Sequence, residues 1–431
     1  MKKTGVAIMG LGVVGGGTYE IIKSNRKEII ASDGVDLEVV RVLEKNPQRL
    51  QALGVPDGVG TTNIHDIIND ENISIVVETI GGIEPAKTFI LAALRAGKSV
   101  VTANKELLAK HWPELESEAK ANKAGLYFEA SCAGGIPIIR ALDLSMQANV
   151  IKELMGIING TTNYILTKMT EKGTSYAAAL KEAQGLGFAE ANPESDVEGF
   201  DAVYKLSILS SIAFNTCVPM DSVYREGITG ITADDIKYAK EMGYKIKLLG
   251  ISKLNGKNIE AHVHPALVPE EHPLANVRNS FNSVYLKGDH VGELMFYGKG
   301  AGAHPTGSAV VSDIVLCACQ KGRHRYAFFK NDGKIDKGVK LISNFRSQYY
   351  IRMNVQDKPG VLAKIAGVLG KNKISIEQLI QKNTADETAP IIFMTHESDE
   401  KSVQNAIAAL KELETVESVE SVIRVISYKQ E

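Results

Sequence analysis

Residues 4–10, Thr-Gly-Val-Ala-Ile-Met-Gly, form a short apolar run that leads into Gly10-Leu11-Gly12-Val13-Val14-Gly15. Gly16-Gly17-Thr18-Tyr19-Glu20-Ile21-Ile22 then begins a helix-like pattern. Strand, glycine-rich turn and helix in that order predict the opening of a doubly wound, Rossmann-type parallel sheet that binds a dinucleotide. Gly10 permits the tight turn, Gly12 lets a pyrophosphate approach the backbone, and Gly15 lets the helix lie close to the sheet. The phosphates would meet the free N–H groups and positive dipole end of that helix, so Gly10, Gly12, Val13, Val14 and Gly15 are the residues expected against the cofactor. A plain structural turn is the competing reading of so short a motif.

A second strand at 37–43 ends at Glu44-Lys45. An acidic residue there would bond the ribose 2′-OH of NAD, and a basic one would pair with the 2′-phosphate of NADP. Both are present, so the choice between NADP and NAD stays open, with Lys45 available to NADP if Glu44 points away. Residues 73–78 and 99–102 read as further strands, separated by a helix-like segment at 85–96. Lys105 follows the last of these, at the strand end where doubly wound sheets place their ligands.

At 431 residues the chain has room for about three domains. A formal net charge of −2 gives no footing for nucleic acid or an anionic membrane. No apolar run reaches spanning length, and Met1-Lys2-Lys3-Thr4 leads into a strand without a cleavable apolar segment. Four cysteines in such a chain do not make a disulfide framework, so buried free thiols in a reducing cytoplasm are expected.

Residues 126–130 predict another strand, followed by the irregular Ser131-Cys132-Ala133-Gly134-Gly135-Ile136-Pro137. Cys132 supports one enzyme class, aldehyde oxidation through a thiohemiacetal, provided its surroundings depress the thiol pKa. Residues 151–158 read as a strand and Asn159-Gly160-Thr161-Thr162-Asn163-Tyr164-Ile165-Leu166 as a turn capped into a helix. Glu190, Glu194, Asp196, Glu198 and Asp201 then accumulate with no Lys or Arg among them. Asp201 and Lys205 would share one helix face. As a bare string this is most simply a solvated acidic loop and a surface ion pair. The alternative is a site for a small cationic substrate.

The stretch 183–205 resembles the signature of homoserine dehydrogenase, matched at Ala183, Gly187, Asn192, Pro193, Asp196, Gly199, Asp201 and Lys205. Thr102-Ala103-Asn104-Lys105-Glu106-Leu107-Leu108-Ala109 and Asn159-Gly160-Thr161-Thr162-Asn163-Tyr164-Ile165-Leu166 resemble other segments of that family, in its order. The resemblance implies reversible NAD(P)H-dependent reduction of L-aspartate 4-semialdehyde to L-homoserine, in threonine and methionine biosynthesis. Lys205 would be the proton donor and Lys105 would polarise the same oxygen, each ammonium lowering the other's pKa. Glu190 would hold the substrate ammonium, Asp196, Gly160 and Thr161 would close the pocket, and Asp201 would orient substrate and lysine. Gly187 and Gly302, with Lys105, would approach the cofactor. A monovalent cation, expected as Na+, would be held by main-chain oxygens of Glu129, Cys132, Gly134 and Ile136. The sheet within 222–298 would pair with its copy in a homodimer or homotetramer. His262 and His264 alternate along one strand of it and are expected at the surface or an interface, not on a metal.

Residues 347–431 read as a βαββαβ module that resembles the ACT domain, with an effector such as threonine near Asp357, Gly360, Val361 and Leu362. A ferredoxin-like dimeriser without ligand shares that pattern. The expected division is a dinucleotide-binding domain at 1–133 completed by about 303–322, an α+β catalytic and dimerisation domain at 134–302, a linker at 323–346 and the regulatory module. A non-catalytic amino-acid sensor built on a dinucleotide fold is the remaining class.

Overall fold

The computed structural model describes residues 3–320, 333–381 and 387–428. β1 (Lys3–Met9), β2 (Asp36–Leu43), β3 (Gly60–Thr61), β4 (Ile73–Glu78), β5 (Ser99–Thr102) and β6 (Leu126–Tyr127) form a parallel sheet in the order β3-β2-β1-β4-β5-β6. Val6, Ile8, Val76, Val77 and Val100 are fully buried, as strands covered on both faces require. The order reverses between β1 and β4, which opens a crevice at their carboxyl ends. The helix after β1 spans Val13–Ser24 and so starts earlier than the Gly16 expected. β6 stops at Tyr127, short of the expected 130, because Glu129–Ser131 turns into a 3-10 helix in which Ser131 Oγ donates to the Phe128 carbonyl.

β7 (Ile151–Ile157), β8 (Tyr224–Arg225), β9 (Tyr244–Asn255), β10 (Asn258–Pro269), β11 (Phe281–Gly288) and β12 (Gly292–Lys299) build a second sheet. Its antiparallel core runs β12-β11-β7-β9-β10, with β8 parallel to β10. The single strand expected at 283–291 is a hairpin instead. Asp289 accepts the Val150 amide and Asn149 accepts the Val291 amide, so the turn is tied to residues 149 and 150 outside it. Helices Gly160–Lys172 and Phe200–Ala213 cover one face, where Ile165, Leu166, Leu206 and Leu209 pack with Leu154, Leu248 and Val284.

Helix Ala303–Cys319 returns to the first sheet, and its Val310, Ile314 and Cys317 share a core with Val6, Ile8 and Val77. It crosses the Val13–Ser24 helix closely. A Cβ on Gly17 would lie 2.3 Å from the Ala303 carbonyl oxygen, and one on Gly307 2.9 Å from the Gly17 backbone. That contact explains why glycines continue past the turn into the first helix.

β13 (Lys340–Ile342), β14 (Arg346–Gln356), β15 (Ile376–Gln381), β16 (Thr388–Thr395), β17 (Ser398–Asp399) and β18 (Val416–Val425), with helices Val361–Lys371 and Glu400–Lys411, complete the chain. Strands β14, β15, β16 and β18 and the two helices follow the βαββαβ order. Residues 321–332, which carry the end of the returning segment and the first part of the expected linker, lie outside the described residues. The rest of that linker has more structure than expected. β13 pairs with β10, and buried Phe345 stacks on His262 at 4.0 Å between ring centroids. His262 and His264 are accordingly buried, 2.8 Å apart between ring nitrogens, rather than at the surface, and burial holds both imidazoles well below their ordinary pKa.

β18 also pairs with β10, so the second sheet runs continuously into the C-terminal module. Two buried arginines, Arg352 and Arg424, seal the joint. Asp235, at the start of helix Ala233–Glu241, accepts from Arg352 Nε at 2.8 Å, Ser421 Oγ at 2.8 Å and Tyr350 OH at 3.2 Å. Burial pushes its carboxyl up, but Arg352 and the surrounding hydroxyls outweigh that and hold it below the usual range. Arg424 donates to both oxygens of Glu400, to Tyr224 OH and to Glu226. All four cysteines are free, and Cys319 is exposed, contrary to the expectation that all are buried. Among the described residues no helix is long and apolar enough to cross a membrane.

Candidate active site

The glycine turn fits a dinucleotide in its own geometry. Gly10 has φ +93°, and a Cβ there would meet the Thr79 carbonyl oxygen at 3.0 Å. A Cβ on Gly15 would fall 1.9 Å from the Gly10 carbonyl oxygen, whereas Gly12 faces open space within 4 Å. Val13 stands 70% exposed at the first turn of the helix, an apolar side chain left on the rim of the crevice. Val14, Thr79, Gly81, Gly82, Ala103 and Lys105 line a pocket of about 200 Å³ beside it. The 79–82 turn went unnoticed in the sequence, although Gly81-Gly82 after a strand signals it. Buried Glu78 shapes this turn by accepting the Ile80 and Gly81 amides and the Thr102 hydroxyl. Glu44 does not point away from the site. It accepts the Leu11 amide at 2.8 Å and the Asn46 amide at 2.9 Å, while Lys45 is exposed.

Across this crevice the acidic stretch contributes its carboxyl-terminal end. Gly199, at φ +84°, starts helix Phe200–Ala213, which carries Asp201 and Lys205 one turn apart. They are not a surface pair. Lys205 is 9% exposed and Asp201 5%, and Lys205 Nζ donates to Asp201 Oδ2 at 2.6 Å and to the Ile158 carbonyl at 2.8 Å. Lys105 Nζ lies 3.4 Å from Asp201 Oδ1, so the carboxylate sits between two ammonium groups. Burial pushes the Asp201 carboxyl up, but Lys205 and Lys105 together hold it well below the usual range. Asp201 in turn raises the Lys105 pKa. The expected mutual lowering of the two lysines therefore fails at Lys105, because a carboxylate intervenes.

Asn159, not singled out from the sequence, ties this cluster together. Its Oδ1 caps helix Gly160–Lys172 through the Thr162 amide, and its Nδ2 donates to Asp201 at 2.9 Å and Asp196 at 2.6 Å. The readable signal is an Asn ahead of an apolar helix; its bonds to distant carboxylates have none. Asp196 lies under the neighbouring charge of Asp201, and burial first, then that charge, raises its pKa. Gly160 is constrained because a Cβ would sit 2.8 Å from the Ser280 carbonyl oxygen. Thr161 Oγ1 donates to the Phe188 carbonyl at 2.6 Å and so anchors the loop that carries Gly187, at φ +75°, and Glu190. The Glu190 side chain is exposed, and among the described residues no hydrogen bond or ion pair joins it to the cluster.

Behind Lys205 runs the 129–136 loop. The Glu129 carboxylate accepts the Ile139 and Arg140 amides, and burial, then Asp313, pushes its pKa up to about 7. Its side chain is therefore committed to the protein. Ala133 (φ +54°) and Gly134 (φ +56°) turn the chain, and Gly134 packs so tightly that a Cβ would lie 2.4 Å from Gly300. The Ile136 carbonyl accepts the Ile138 amide at 2.8 Å. Among the described residues no group of three or more His, Cys, Asp or Glu side chains is arranged for a metal ion. Cys132 is fully buried, with Sγ 3.8 Å from the Lys205 carbonyl, and burial pushes its thiol up to about 12. That setting is the opposite of what a thiolate nucleophile needs. Gly302, at φ +123°, caps the returning Ala303–Cys319 helix.

In the C-terminal module, Gly360 (φ +88°) starts helix Val361–Lys371 after the Asp357 turn. Asp357 Oδ1 accepts from Gln381 at 3.4 Å, Val361 is buried, and Leu362 is 40% exposed.

Comparison with known proteins matches residues 137–315 to the family model described as homoserine dehydrogenase, 10–129 to its NAD-binding domain and 349–415 to the ACT domain. The chain is 42% identical over 417 residues to a homoserine dehydrogenase of Bacillus subtilis, covering 96% of each. The crystal structure of a homoserine dehydrogenase from Thiobacillus denitrificans superposes with TM-score 0.93 at 42% identity, over 99% of both chains. A hyperthermophilic archaeal homoserine dehydrogenase in complex with NADPH matches 74% of this chain and 98% of its own, at 27% identity and TM-score 0.63. An NAD(P)-binding crevice, a lysine–carboxylate–lysine cluster at its mouth and relatives matched from end to end lead to one conclusion: the chain belongs to the homoserine dehydrogenase family of NAD(P)-dependent oxidoreductases and carries an ACT domain.

Proposed function

We propose that Lys205 delivers the proton in the reversible reduction of L-aspartate 4-semialdehyde to L-homoserine, with Lys105 polarising the same carbonyl oxygen. The observation that carries this is Asp201 lying between the two ammonium groups at 2.6 and 3.4 Å. A bound nicotinamide supplies or accepts the hydride at the carbon. The chain's own residues do the rest. Asp201 favours the charged form of Lys105 and anchors the Lys205 ammonium beside it, and Asn159 fixes Asp201. Asp196 and Glu190 hold the substrate's α-ammonium, Glu190 by closure of its loop, while Gly160 and Thr161 shape the floor. Gly10, Gly12, Val13, Val14, Gly15, Gly187 and Gly302 line the cofactor. Lys45 and Arg49, the latter 3.6 Å from Glu44, leave cationic charge beside that carboxylate, which supports NADP alongside NAD. We assign Na+ to main-chain oxygens of Glu129, Cys132, Gly134 and Ile136, supported by the two consecutive positive-φ residues that turn this loop.

The enzyme works in the cytoplasm as a homodimer or homotetramer in this reading. An amino acid such as threonine, bound near Asp357, Gly360, Val361 and Leu362, regulates it. The test is nicotinamide absorbance with homoserine and each cofactor, for wild type and Lys205→Ala. Turnover of the variant within a few-fold of wild type, with its fold intact, refutes the assigned proton donor.

A further inference from the structure

Away from the crevice, a cavity of about 620 Å³ is lined by Lys172, Lys240, Lys245, Lys247 and Arg278 together with Glu171 and Glu270. Of the two carboxylates, Glu171 is taken up by Arg278 at 2.5 Å. The wall is therefore strongly cationic in a chain whose net charge is only −2.

Lys247 gives the cavity its meaning. It lies on β9 and is 4% exposed, yet its Nζ meets only neutral oxygens, Asn163 Oδ1 at 3.0 Å and the Val277 carbonyl at 2.5 Å. Among the described residues no carboxylate pairs with it. A buried ammonium without an opposite charge is costly, and such groups normally lose their proton or acquire a counter-ion. Burial, then Lys245, lowers its pKa to about 7, and the nearby Glu171 carboxylate, which bonds Arg278 and not Lys247, offsets only part of that. Around it, Lys240 is exposed at the end of its helix, while Lys245 is half-buried and bonds Asn276 Oδ1 at 3.0 Å. Volume, sign and the unneutralised buried lysine converge on one ligand class.

We propose that this cavity binds a small metabolite bearing a di- or triphosphate group, its phosphate oxygens taking the place of the carboxylate that Lys247 lacks. A single inorganic ion would leave much of the volume unfilled, whereas a polyphosphate offers oxygens to Lys247, Lys245 and Arg278, all of which line the cavity. The site is independent of the roles given to Lys105 and Lys205. It is linked to the active site through helix Gly160–Lys172, which carries Asn163 one turn beyond the Asn159 cap, and through β9, which carries Lys247 and packs on helix Phe200–Ala213.

Inorganic tripolyphosphate tests it by calorimetric titration of the full-length protein, with NADP+ saturating the glycine-rich turn and sodium sulfate as a control at equal ionic strength. The expected result is saturable binding to wild type that weakens at least tenfold in Lys245→Gln/Arg278→Gln, with sulfate giving none. Lys240→Gln, an exposed change that leaves the fold intact, should weaken it severalfold and guards against misfolding of the double variant. Equal binding by wild type and both variants overturns the proposal, as does a signal that follows ionic strength alone. A changed oligomeric state in the double variant, without any effect of tripolyphosphate on wild type, also overturns it and marks the cavity as a subunit contact.

Discussion

Replacing Asp201 by Asn removes the one charge that the two lysines share while keeping the side chain's shape. At an effective dielectric of about 20, the Coulomb attraction across the 2.6 Å Lys205 contact is ~6 kcal/mol before desolvation is subtracted. Breaking such a buried pair from one side costs ~3–5 kcal/mol. The Lys105 contact is longer, and 43% of that side chain is exposed, so screening leaves it ~1 kcal/mol or less. Stability should fall by ~3 kcal/mol, since the amide still accepts a hydrogen bond. Turnover should fall by ~10²–10³, the usual cost of losing a preorganised polar contact at a reacting centre. The pH profile gives the sharper reading. Asp201 raises the Lys105 pKa, and reduction needs the ammonium, so the rate is lost as pH rises through that pKa. Without Asp201 the loss should begin at lower pH. The wild-type carboxylate, held below its unfolded value, contributes stability that is present above the ordinary carboxylate range and lost on acidification, and the variant should lack that part of the acid slope. Steady-state reduction of the semialdehyde across pH, with urea unfolding alongside, measures both. A folded variant with turnover within threefold of wild type and an unmoved alkaline limb would refute the shared-carboxylate reasoning.

Three further outcomes follow from other parts of the molecule. Cys132→Ala should keep turnover within a few-fold and form no less covalent adduct with an aldehyde than wild type, since the buried thiol near pKa 12 is not a nucleophile; loss of activity by orders of magnitude would restore the thiol mechanism. Arg352→Met should cost ~3–5 kcal/mol in urea unfolding by stranding buried Asp235, and an unchanged midpoint would show that the joint is not held there. Lys247 has a folded pKa near 7 against an unfolded value near that of free lysine, so wild-type stability without ligand should rise between about pH 7 and pH 10. Lys247→Met should lose that slope, which pH-dependent unfolding reads directly.

Local chemistry made much of this molecule legible from its sequence. β4 and β5 were read to the residue, because each is a short β-branched run between turn signals. In the turn at Gly10–Gly15 the demands on Gly10 and Gly15 are local and steric, so those two positions could be read from the motif. Lys105, Asp201 and Lys205 were named because two motifs carry them. That they share one carboxylate was not visible, as nothing local sets how residue 105 approaches residue 201 across two domains. Asn159 shows the same limit from the other side, with a cap that can be read and carboxylate partners that cannot.

The C-terminal joint lay furthest out of reach, and it changes how regulation should be tested. Residues 333–346 look like a polar linker, so removing everything beyond Phe345 seems a clean way to uncouple the effector module. Yet Tyr350, Ile392, Met394, Ile423 and Val425 belong to the same core as Leu154 and Leu206 of the catalytic region. Truncation would open that core and strand Asp235 without Arg352 and Glu226 without Arg424. Activity lost in a truncated chain would then report unfolding, not regulation. The same joint offers a physical route for an effector. Arg424 holds Glu226, and the adjoining Arg225 lies over the ring of Phe200, the residue before Asp201, at 3.6 Å and donates to the Glu198 carbonyl. An effector that favours one setting of β18 thus acts on the start of the helix that presents Asp201 and Lys205, provided it binds the two settings with different affinity. Substitution at the exposed Asp357 turn, which leaves the joint whole, separates the two. Lost effector response with unchanged stability would assign regulation to the module, and unchanged response would move the effector elsewhere.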